Sequence, residues 1–252
     1  MNCQEALQAC VVDGNVVKLP DVQLDRKVYV ELKKKMEMIG GKWKGGKTAG
    51  FVFQEDPTKL LVEIANGDTR DIKKEFQFFA TPPELADKMV RLAGEMLNTD
   101  LVLEPSAGQG AIVEAINKKY KRYVNCYELM PLNRTILQDK INAGKLVARI
   151  LGADFLKHDH KFYTPFDFII ANPPFTKNQD IDHIYKMYEC LAPGGTIVTL
   201  ASTHWTFSNS RKAREFREWI MGVAAKMDLL PDGCFKESGT MVSANLIVIT
   251  KE

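Results

Sequence analysis

The pattern of apolar and polar positions changes near residue 75 of this 252-residue chain. Before that point the sequence predicts three elements: a helix over 24–39, a hairpin over 42–53 and a short helix over 57–65. Gly40 and Gly41 are expected to end the first helix, and Gly45-Gly46 to form the turn of the hairpin. These elements indicate a small N-terminal α+β domain spanning residues 1–75.

After residue 75, strands alternate with helices. Strands are predicted over 101–104, 123–128, 149–153, 166–171, 196–201, 226–230 and 245–250, and helices over 82–97, 111–120, 132–143, 181–191 and 210–223. Thr81 is the expected N-cap of the first of these helices, with Pro82 in its first turn. Several strands, FDFIIAN among them, are short apolar runs, which favour a buried parallel sheet with helices on both faces. Residues 76–252 are therefore expected to form an α/β, doubly wound, Rossmann-like domain whose ligands sit at the carboxyl ends of the strands.

The composition is that of an ordinary globular protein, with 45% hydrophobic and 26% charged residues. No apolar run approaches the ~20 residues of a membrane helix, and the N-terminus lacks the pattern of a secretory signal. The five cysteines are scattered without a CxxC, so no zinc site or disulfide framework is predicted and a reduced, cytoplasmic setting fits best. His158-Asp159-His160 has no further ligand at a suitable spacing, so we expect no metal there and interpret the stretch as a flexible polar loop.

The segment LVLEPSAGQGAIVEAI, residues 101–116, predicts a strand, a glycine loop and a helix. Gly108 and Gly110 permit a tight turn and a close approach of the backbone to a ligand. The loop is neither a Walker phosphate loop nor GxGxxG. The functional interpretation of this strand, loop and helix is a nucleotide-like cofactor whose amino-acid end lies over the glycines. Glu104, at the end of the strand, could bind the cofactor ammonium. The alternative is a plain strand-to-helix turn.

Acidic residues end the next two predicted strands. Glu128 lies about 20 residues beyond the glycine loop, where a carboxylate can accept both ribose hydroxyls. Asp154 can accept a hydrogen bond from an adenine amino group, and Phe155 can pack on the ring. Taken alone, each is as well explained as a surface carboxylate or a core aromatic residue.

The most informative motif is Asn172-Pro173-Pro174-Phe175, which ends the apolar strand FDFIIA abruptly. Two prolines stiffen this turn and remove two amide donors. The Asn172 side-chain oxygen and the Pro173 carbonyl are then candidate acceptors for the two hydrogens of an aromatic amine. Such acceptors favour the pyramidal geometry that frees the nitrogen lone pair for attack on a methyl donor. Phe175 would stack on a base flipped out of its helix.

Together these segments resemble the N6-adenine-specific DNA methyltransferases in which the cofactor motif precedes the catalytic one. The resemblance runs over roughly residues 76–252, through FFATPPELADKMV, EPSAGQG, Glu128, Asp154-Phe155, NPPF and the closing run LPDGCFKESGTMVSANLIVITK. It implies S-adenosylmethionine as cofactor and a seven-stranded, mostly parallel sheet that ends in a reversed β-hairpin. The cofactor residues it implies are Thr81, at the methionine part, with Glu104, Pro105, Ser106, Ala107, Gly108, Gly110, Glu128, Asp154, Phe155 and Asn172; the catalytic residues are Asn172, Pro173, Pro174 and Phe175.

This sequence departs from that family in one respect. Members usually carry a separate target recognition domain, often after the catalytic domain, whereas this sequence ends within a residue or two of the last predicted strand. The residues that choose a DNA sequence could lie in the first 75, in the insert 204–217 or in a separate specificity subunit.

The first 75 residues include a basic segment. Residues 26–50 hold eight basic side chains against two acidic ones, whereas the net charge of the chain is only +2. Lys42, Trp43, Lys44 and Lys47 interleave charge with an aromatic ring in the predicted hairpin, which favours a nucleic-acid contact surface. A solvated face is the alternative.

The function expected from these residues is methyl transfer to the exocyclic N6 of adenine in DNA, by base flipping and direct in-line transfer. The same motif could serve amino methylation of RNA or glutamine methylation of a protein. A non-catalytic subunit of a restriction-modification complex is a further alternative. The motif lacks the Pro-Cys pair that carbon-5 cytosine methylation requires, and no thiol nucleophile is expected.

Overall fold

A computed structural model of the chain describes residues 1–39, 41–53, 56–65, 80–159, 164–231, 233–235 and 243–252. The chain forms two compact units, Met1–Gln77 and Phe78–Glu252.

In the first unit, the described strands form a four-stranded antiparallel sheet in the order β1-β2-β4-β3. Its elements are α1 (Cys3–Gln8), β1 (Val11–Asp13), β2 (Val16–Lys18), α2 (Arg26–Met38), β3 (Lys42–Lys44), β4 (Gly50–Val52) and α3 (Thr58–Ala65). Helix α2 begins at Arg26, two residues later than predicted, because the Asp25 side chain caps it by accepting a hydrogen bond from the Lys27 amide at 2.8 Å. Elements α1, β1 and β2 are not among the predictions, because they are too short to show a clear periodicity.

The core of the first unit lies between the small sheet and its helices. Val17 and Phe51 from the sheet are fully buried, as are Leu32 and Met36 from α2. The hairpin of β3 and β4 pairs Lys44 with Gly50, so its loop spans residues 45–49. The predicted hairpin is present and its loop contains Gly45 and Gly46, but the turn centres on Gly46 and Lys47, one residue later than predicted.

In the second unit, the described strands form one seven-stranded sheet in the order β10-β11-β9-β8-β5-β6-β7. They are β5 (Val102–Glu104), β6 (Val124–Tyr127), β7 (Ala148–Gly152), β8 (Phe166–Ala171), β9 (Leu191–Ser202), β10 (Lys226–Leu229) and β11 (Ala244–Thr250). Strands β5 to β9 are parallel to their neighbours among themselves, and β11 runs antiparallel to both β9 and β10. The predicted α/β Rossmann-like fold, with a mostly parallel sheet and a reversed C-terminal hairpin, is confirmed.

The helices of this unit are α4 (Pro83–Ala93), α5 (Ala111–Tyr120), α6 (Pro131–Asn142), α7 (Gln179–Cys190), α8 (His204–Phe207) and α9 (Arg211–Gly222). The prediction that Thr81 caps α4 is wrong, since Pro82 occupies the N-cap position. The helix also ends at Ala93 rather than near Leu97, because Gly94 follows with φ 92°. None of the helices in the described part of the chain has the length and apolarity needed to cross a bilayer.

Two apolar layers sandwich the sheet. Successive residues of a strand point to opposite faces, and the buried side chains of Val102 and Leu103 accordingly belong to different layers. Helices α4 and α5 supply one layer and α7 and α9 the other. Because both faces are covered, the exposed functional groups of the unit must project from the ends of the strands.

Candidate cofactor and catalytic site

The predicted site residues of the second unit follow neighbouring strands. Glu104 ends β5, Glu128 follows β6, Asp154 lies two residues beyond β7, and Asn172 follows β8. These strands are parallel and adjacent in the order β8-β5-β6-β7, and adjacent strands lie about 4.8 Å apart. The strand order reverses at β5: β6 and β7 lie on one side of it, and β8 and β9 lie on the other. In α/β sheets the ligand-binding crevice opens at such a point.

Backbone hydrogen bonds hold the glycine loop after β5 in a compact form. The Ala107 amide donates to the Tyr127 carbonyl at 2.9 Å, and the Gly110 amide donates to the Ala107 carbonyl at 2.8 Å. Gly110 is the N-cap of α5 and has φ 93°, and a Cβ built on it would lie 2.7 Å from Cδ1 of Leu146. The rest of the loop, Pro105, Ser106, Ala107 and Gly108, is buried apart from the half-buried Ser106.

Glu128 ties the loop after β6 to the glycine loop. Its Oε2 accepts a hydrogen bond from the Gly108 amide at 2.6 Å, and its Oε1 accepts one from the Met130 amide at 2.7 Å. A carboxylate oxygen has a second lone pair, so both oxygens can still accept a bond from a ligand. Sequence reasoning missed this bracing role, because only the fold brings residues 20 positions apart into contact.

Glu104 is a deeply buried carboxyl group. It is 1% exposed, and its Oε2 accepts a hydrogen bond from the Val113 amide of α5 at 3.1 Å. Burial, and then the charge of Glu128, raise the pKa of Glu104 well above its usual range. Burial also raises the pKa of Glu128, against the amides of Met130 and Gly108, which lower it. Two buried acids side by side make this part of the crevice favourable for a cation.

Asp154 and Phe155 differ sharply in exposure. Asp154 is half-buried, and its Oδ1 accepts a hydrogen bond from the Leu156 amide at 3.1 Å. Phe155 is 2% exposed, with its ring centroid 5.6 Å from that of Tyr127 and 5.8 Å from that of His183. Phe155 therefore lies in the core beneath the strand ends. Burial lowers the pKa of His183 to about 4, so this ring is neutral at physiological pH.

His158 corrects one interpretation of the sequence. The predicted flexible polar loop is wrong at this residue, which is buried, with its Nδ1 hydrogen-bonded to the Tyr127 hydroxyl at 2.7 Å. Packing against Phe155 and Phe166 accounts for this. His160 lies outside the described residues, and within those residues no three His, Cys, Asp or Glu side chains are grouped in a way that could hold a metal ion.

Asn172 is held by a residue far away in the sequence. Its Nδ2 donates a hydrogen bond to Oγ1 of the buried Thr81 at 3.1 Å. The sequence has no local signal for this pair, because 91 residues separate the two. Pro173 is buried beside them, while Pro174 and Phe175 are half-buried and Phe175 packs against the core layer of α4 and α5.

The chain beyond Phe175 adopts an unusual backbone. Lys177 and Asn178 both have left-handed conformations, with φ 57° and 56°. An L-residue in this region carries a steric cost of roughly 1–2 kcal/mol, although asparagine tolerates it better than lysine. Helix α7 begins directly afterwards with Asn178 as its N-cap.

The predicted nucleic-acid residues lie in the first unit. Lys42, Trp43 and Lys44 form β3, an exposed edge strand, and Lys47 is exposed in the loop that follows. The Trp43 ring meets the buried Phe51 edge-on, with their centroids 5.1 Å apart. Lysines on an edge strand also hinder pairing with other chains, which fits the alternative of a solvated face.

No family model matches the sequence, and no curated protein matches it. Solved structures resemble it at the level of fold. The EcoKI type I restriction enzyme M protein is 16% identical, with a TM-score of 0.57, over 98% of this chain and 56% of that one. TrmN from Thermus thermophilus is 18% identical, with a TM-score of 0.52, over 81% of this chain and 57% of that one. The chain thus spans little more than half the length of either protein.

A third structure is that of a class I S-adenosylmethionine-dependent methyltransferase candidate from Listeria monocytogenes. It is 12% identical, with a TM-score of 0.56, over 77% of this chain and 67% of that one. At such identities the likeness concerns the fold alone. The chain has the Rossmann-like fold of class I S-adenosylmethionine-dependent methyltransferases.

Proposed function

We propose that the protein transfers a methyl group from S-adenosylmethionine to the exocyclic N6 of adenine in DNA. The observation that carries this proposal is the position of Asn172. It follows β8, adjacent to the glycine loop strand β5, with its amide held by Thr81. An amide so placed, followed by two prolines, is suited to accept hydrogen bonds from an aromatic amine.

The crevice fits the proposed cofactor chemically. Glu104 and Glu128 form a pair of buried carboxyl groups that suits an α-ammonium group and ribose hydroxyls. The close approach of Leu146 leaves no room for a side chain at position 110 of the glycine loop. Asp154, half-buried beyond β7, is the candidate acceptor for the adenine amino group. Thr81 and the loop Glu104 to Gly110 would hold the methionine part.

When bound, S-adenosylmethionine supplies an electrophilic methyl group, so the protein needs no covalent nucleophile. The task of the chain is to position the amine and exclude water. The Asn172 Oδ1 and the Pro173 carbonyl accept the two amine hydrogens, which turns the nitrogen lone pair toward the methyl group. Thr81 accepts a hydrogen bond from Nδ2 of Asn172 and thereby sets the direction of Oδ1. Phe175 stacks on the extruded base.

The first experiment identifies the acceptor. Purified protein is incubated with methyl-labelled donor and, separately, unmethylated plasmid DNA, total RNA and a protein extract, and the labelled nucleic acid is digested to nucleosides. We expect label in DNA as the deoxynucleoside of N6-methyladenine. Label in RNA or in glutamine would overturn the DNA assignment but keep the amine chemistry, and label on carbon or oxygen would overturn both.

A nucleic-acid substrate also needs backbone contacts, and we assign these to the hairpin in the first unit. Extrusion of a base costs a few kcal/mol and must be offset by other contacts. Lys42, Lys44 and Lys47 are exposed together on this hairpin, beside Trp43. A separate specificity subunit would then be needed only for the choice of sequence.

The salt dependence of DNA binding tests this assignment. Replacing Lys42, Lys44 and Lys47 with alanine should flatten the slope of log affinity against log salt by about 0.9 for each phosphate that is no longer neutralised. The matched control replaces Lys118, Lys119 and Lys145, which are equally exposed but lie at or beyond the C-terminal ends of α5 and α6, away from the candidate site. Equal slopes for the two triple variants would exclude the hairpin as a phosphate-binding surface.

A further inference from the structure

The segment after β9 places an exposed aromatic side chain on the catalytic edge of the sheet. Strand β9 is parallel to β8, with Thr199 opposite Ala171, and it continues to Ser202 before α8 begins at His204. Asn172 leaves the adjacent strand at this same edge. Adjacent strands are about 4.8 Å apart, so α8 and the catalytic loop emerge as neighbours.

Phe207, the last residue of α8, is held out into solvent by a firmly anchored turn. It is 68% exposed, whereas Trp205 in the same turn is 2% exposed and packs on Phe216. Nη1 of Arg217 donates hydrogen bonds to the carbonyls of Trp205 and, at 2.8 Å, Ser208, which fixes the turn from below. The His204 ring packs edge-on against Phe207, with their centroids 5.3 Å apart.

Burial of a phenylalanine is worth about 1.5–3 kcal/mol, and the fold gains little of that from Phe207. A single exposed apolar residue is ordinary on a protein surface. The case here rests on the combination of a rigid turn, a projecting ring and a position beside the catalytic loop. A ring presented in this way is preorganised to stack against a flat partner.

The charge around Phe207 favours an anionic partner. Residues 204–217 contain four basic side chains, Arg211, Lys212, Arg214 and Arg217, against the single acidic Glu215. Arg211 is paired with Glu215 and Lys212 with Asp182. Arg214 is exposed and makes no ion pair within the described part of the chain. An exposed aromatic ring in a basic segment suits nucleic acid rather than an apolar protein surface.

We infer that Phe207 is a wedge that enters the DNA duplex where the target adenine leaves it. This inference rests on the proposed function and adds to it the residue that keeps the duplex open. Extrusion of a base leaves its two neighbours without a stacking partner, and an inserted apolar side chain replaces part of that stacking. Phe175 stacks on the extruded base, and Phe207 fills the position that this base has left in the duplex.

The test compares methylation of native and heat-denatured plasmid DNA by the full-length protein. Phe207→Ala should lower the rate on native DNA by about 5- to 150-fold, which corresponds to the loss of one base stack of about 1–3 kcal/mol. On denatured DNA, where no duplex has to be opened, the rate should stay within about twofold of the parent rate. Phe207→Trp should restore most of the activity on native DNA.

Met221→Ala is the matched control, because Met221 is also 68% exposed but lies at the far end of α9; it should leave both rates unchanged. The wedge would be overturned if Phe207→Ala had the same ratio of native to denatured rates as the parent, whether both rates stay the same or both fall by the same factor. If the parent protein labels neither form of DNA, the proposed function is wrong. If the parent is active and Phe207→Ala methylates native DNA at the parent rate, only the wedge is wrong.

Discussion

The loops after β5 and β8 leave the same edge of one sheet on adjacent strands, yet they are built in opposite ways. The loop after β5 is almost wholly buried, and the Glu128 carboxylate accepts a hydrogen bond from the Gly108 amide in its middle. Its unusual backbone angles fall on Gly108 and Gly110, which tolerate them without a steric cost. The loop after β8 is half-exposed, and its left-handed angles fall on Lys177 and Asn178.

This difference fits a division of labour between donor and acceptor. A small cofactor that is the same in every turnover is best served by a finished, buried cradle. Under the proposed function, a base that arrives attached to a large polymer requires an open loop, and the strained backbone of Lys177 and Asn178 lies a few residues beyond Asn172. If the two loops have these separate tasks, a change in the loop after β5 should mainly alter donor binding, and a change in the loop after β8 should mainly alter the rate of methyl transfer.

The largest effect should come from Asn172→Ala. Removing one preorganised hydrogen-bonding partner of the reacting group typically costs ~10²–10³ in rate, and we expect the rate of methyl transfer to fall by that factor. Donor affinity, measured by calorimetry, should fall far less, because Glu104, Glu128 and Asp154 are untouched. A variant that keeps the parent rate would refute the mechanism of amine methylation.

Gly110→Ala perturbs the other loop. The added Cβ would meet Leu146 Cδ1 at 2.7 Å and Leu137 Cδ1 at 3.0 Å, in a backbone conformation with φ 93°. Overpacking costs about 1–3 kcal/mol, so thermal unfolding should show a loss of at least this size together with weaker donor binding. Gly144→Ala is the control: its φ of 68° is also left-handed, but a Cβ there meets nothing within 4 Å. Equal losses in both variants would mean that backbone strain alone, without the crowding, accounts for the effect.

Thr81→Val tests whether Asn172 needs to be oriented. The substitution keeps the shape of the side chain but removes the hydroxyl that accepts the Asn172 hydrogen bond. A net hydrogen bond is worth about 0.5–1.5 kcal/mol, so kcat should fall by up to about tenfold. Thr81→Ser, which retains the hydroxyl, should keep most of the activity. Loss of donor affinity without loss of kcat would limit Thr81 to its proposed contact with the cofactor and would refute its role in orienting Asn172.

The sheet and the motifs were predictable from the sequence because both depend on local patterns. Apolar runs such as the one in β8 mark buried strands, and the Asn-Pro-Pro turn that follows is rigid from its own chemistry. The predicted helix over 132–143 matches α6 to within one residue at each end.

Two hydrogen bonds of the site could not be predicted, because they depend on which strands become neighbours. They join Thr81 to Asn172 and Gly108 to Glu128. The exposure of Phe207 could not be predicted from the sequence either. Its turn, α8, is only four residues long, and the exposure of its ring follows from Trp205 filling the core instead.

The pH dependence of donor binding should report on the buried carboxyl group of Glu104, at the start of the loop after β5. Because burial and the charge of Glu128 raise the pKa of Glu104, its neutral form persists to a higher pH than in a free glutamate, whereas a bound ammonium favours the ionised form. Donor binding should therefore release protons and strengthen with rising pH, by up to tenfold per unit below the folded-state pKa, and become flat above it. Calorimetry in two buffers of different ionisation enthalpy measures the protons released.

The pH effect should disappear in Glu104→Gln, which has no proton to release. Glu114→Gln, an exposed position on α5, is its control and should behave like the parent. If Glu104→Gln retains the full pH dependence, another group, with Glu128 the first candidate, carries the proton.

The smallest effect should come from Lys177→Gly, and its sign is the informative part. Glycine removes the steric cost of the left-handed conformation, roughly 1–2 kcal/mol, but it loses more backbone entropy on folding, by about 0.5–1 kcal/mol. The net change should be a stabilisation of up to about 1.5 kcal/mol, seen as a higher melting temperature. Lys118→Gly, on the ordinary helix α5, should destabilise by about 1 kcal/mol. If both variants lose stability, Lys177 is unstrained and the contrast between the two loops does not extend to their energetics; if Lys177→Gly gains stability but methylates more slowly, the strain in the acceptor loop helps to hold Asn172 in place.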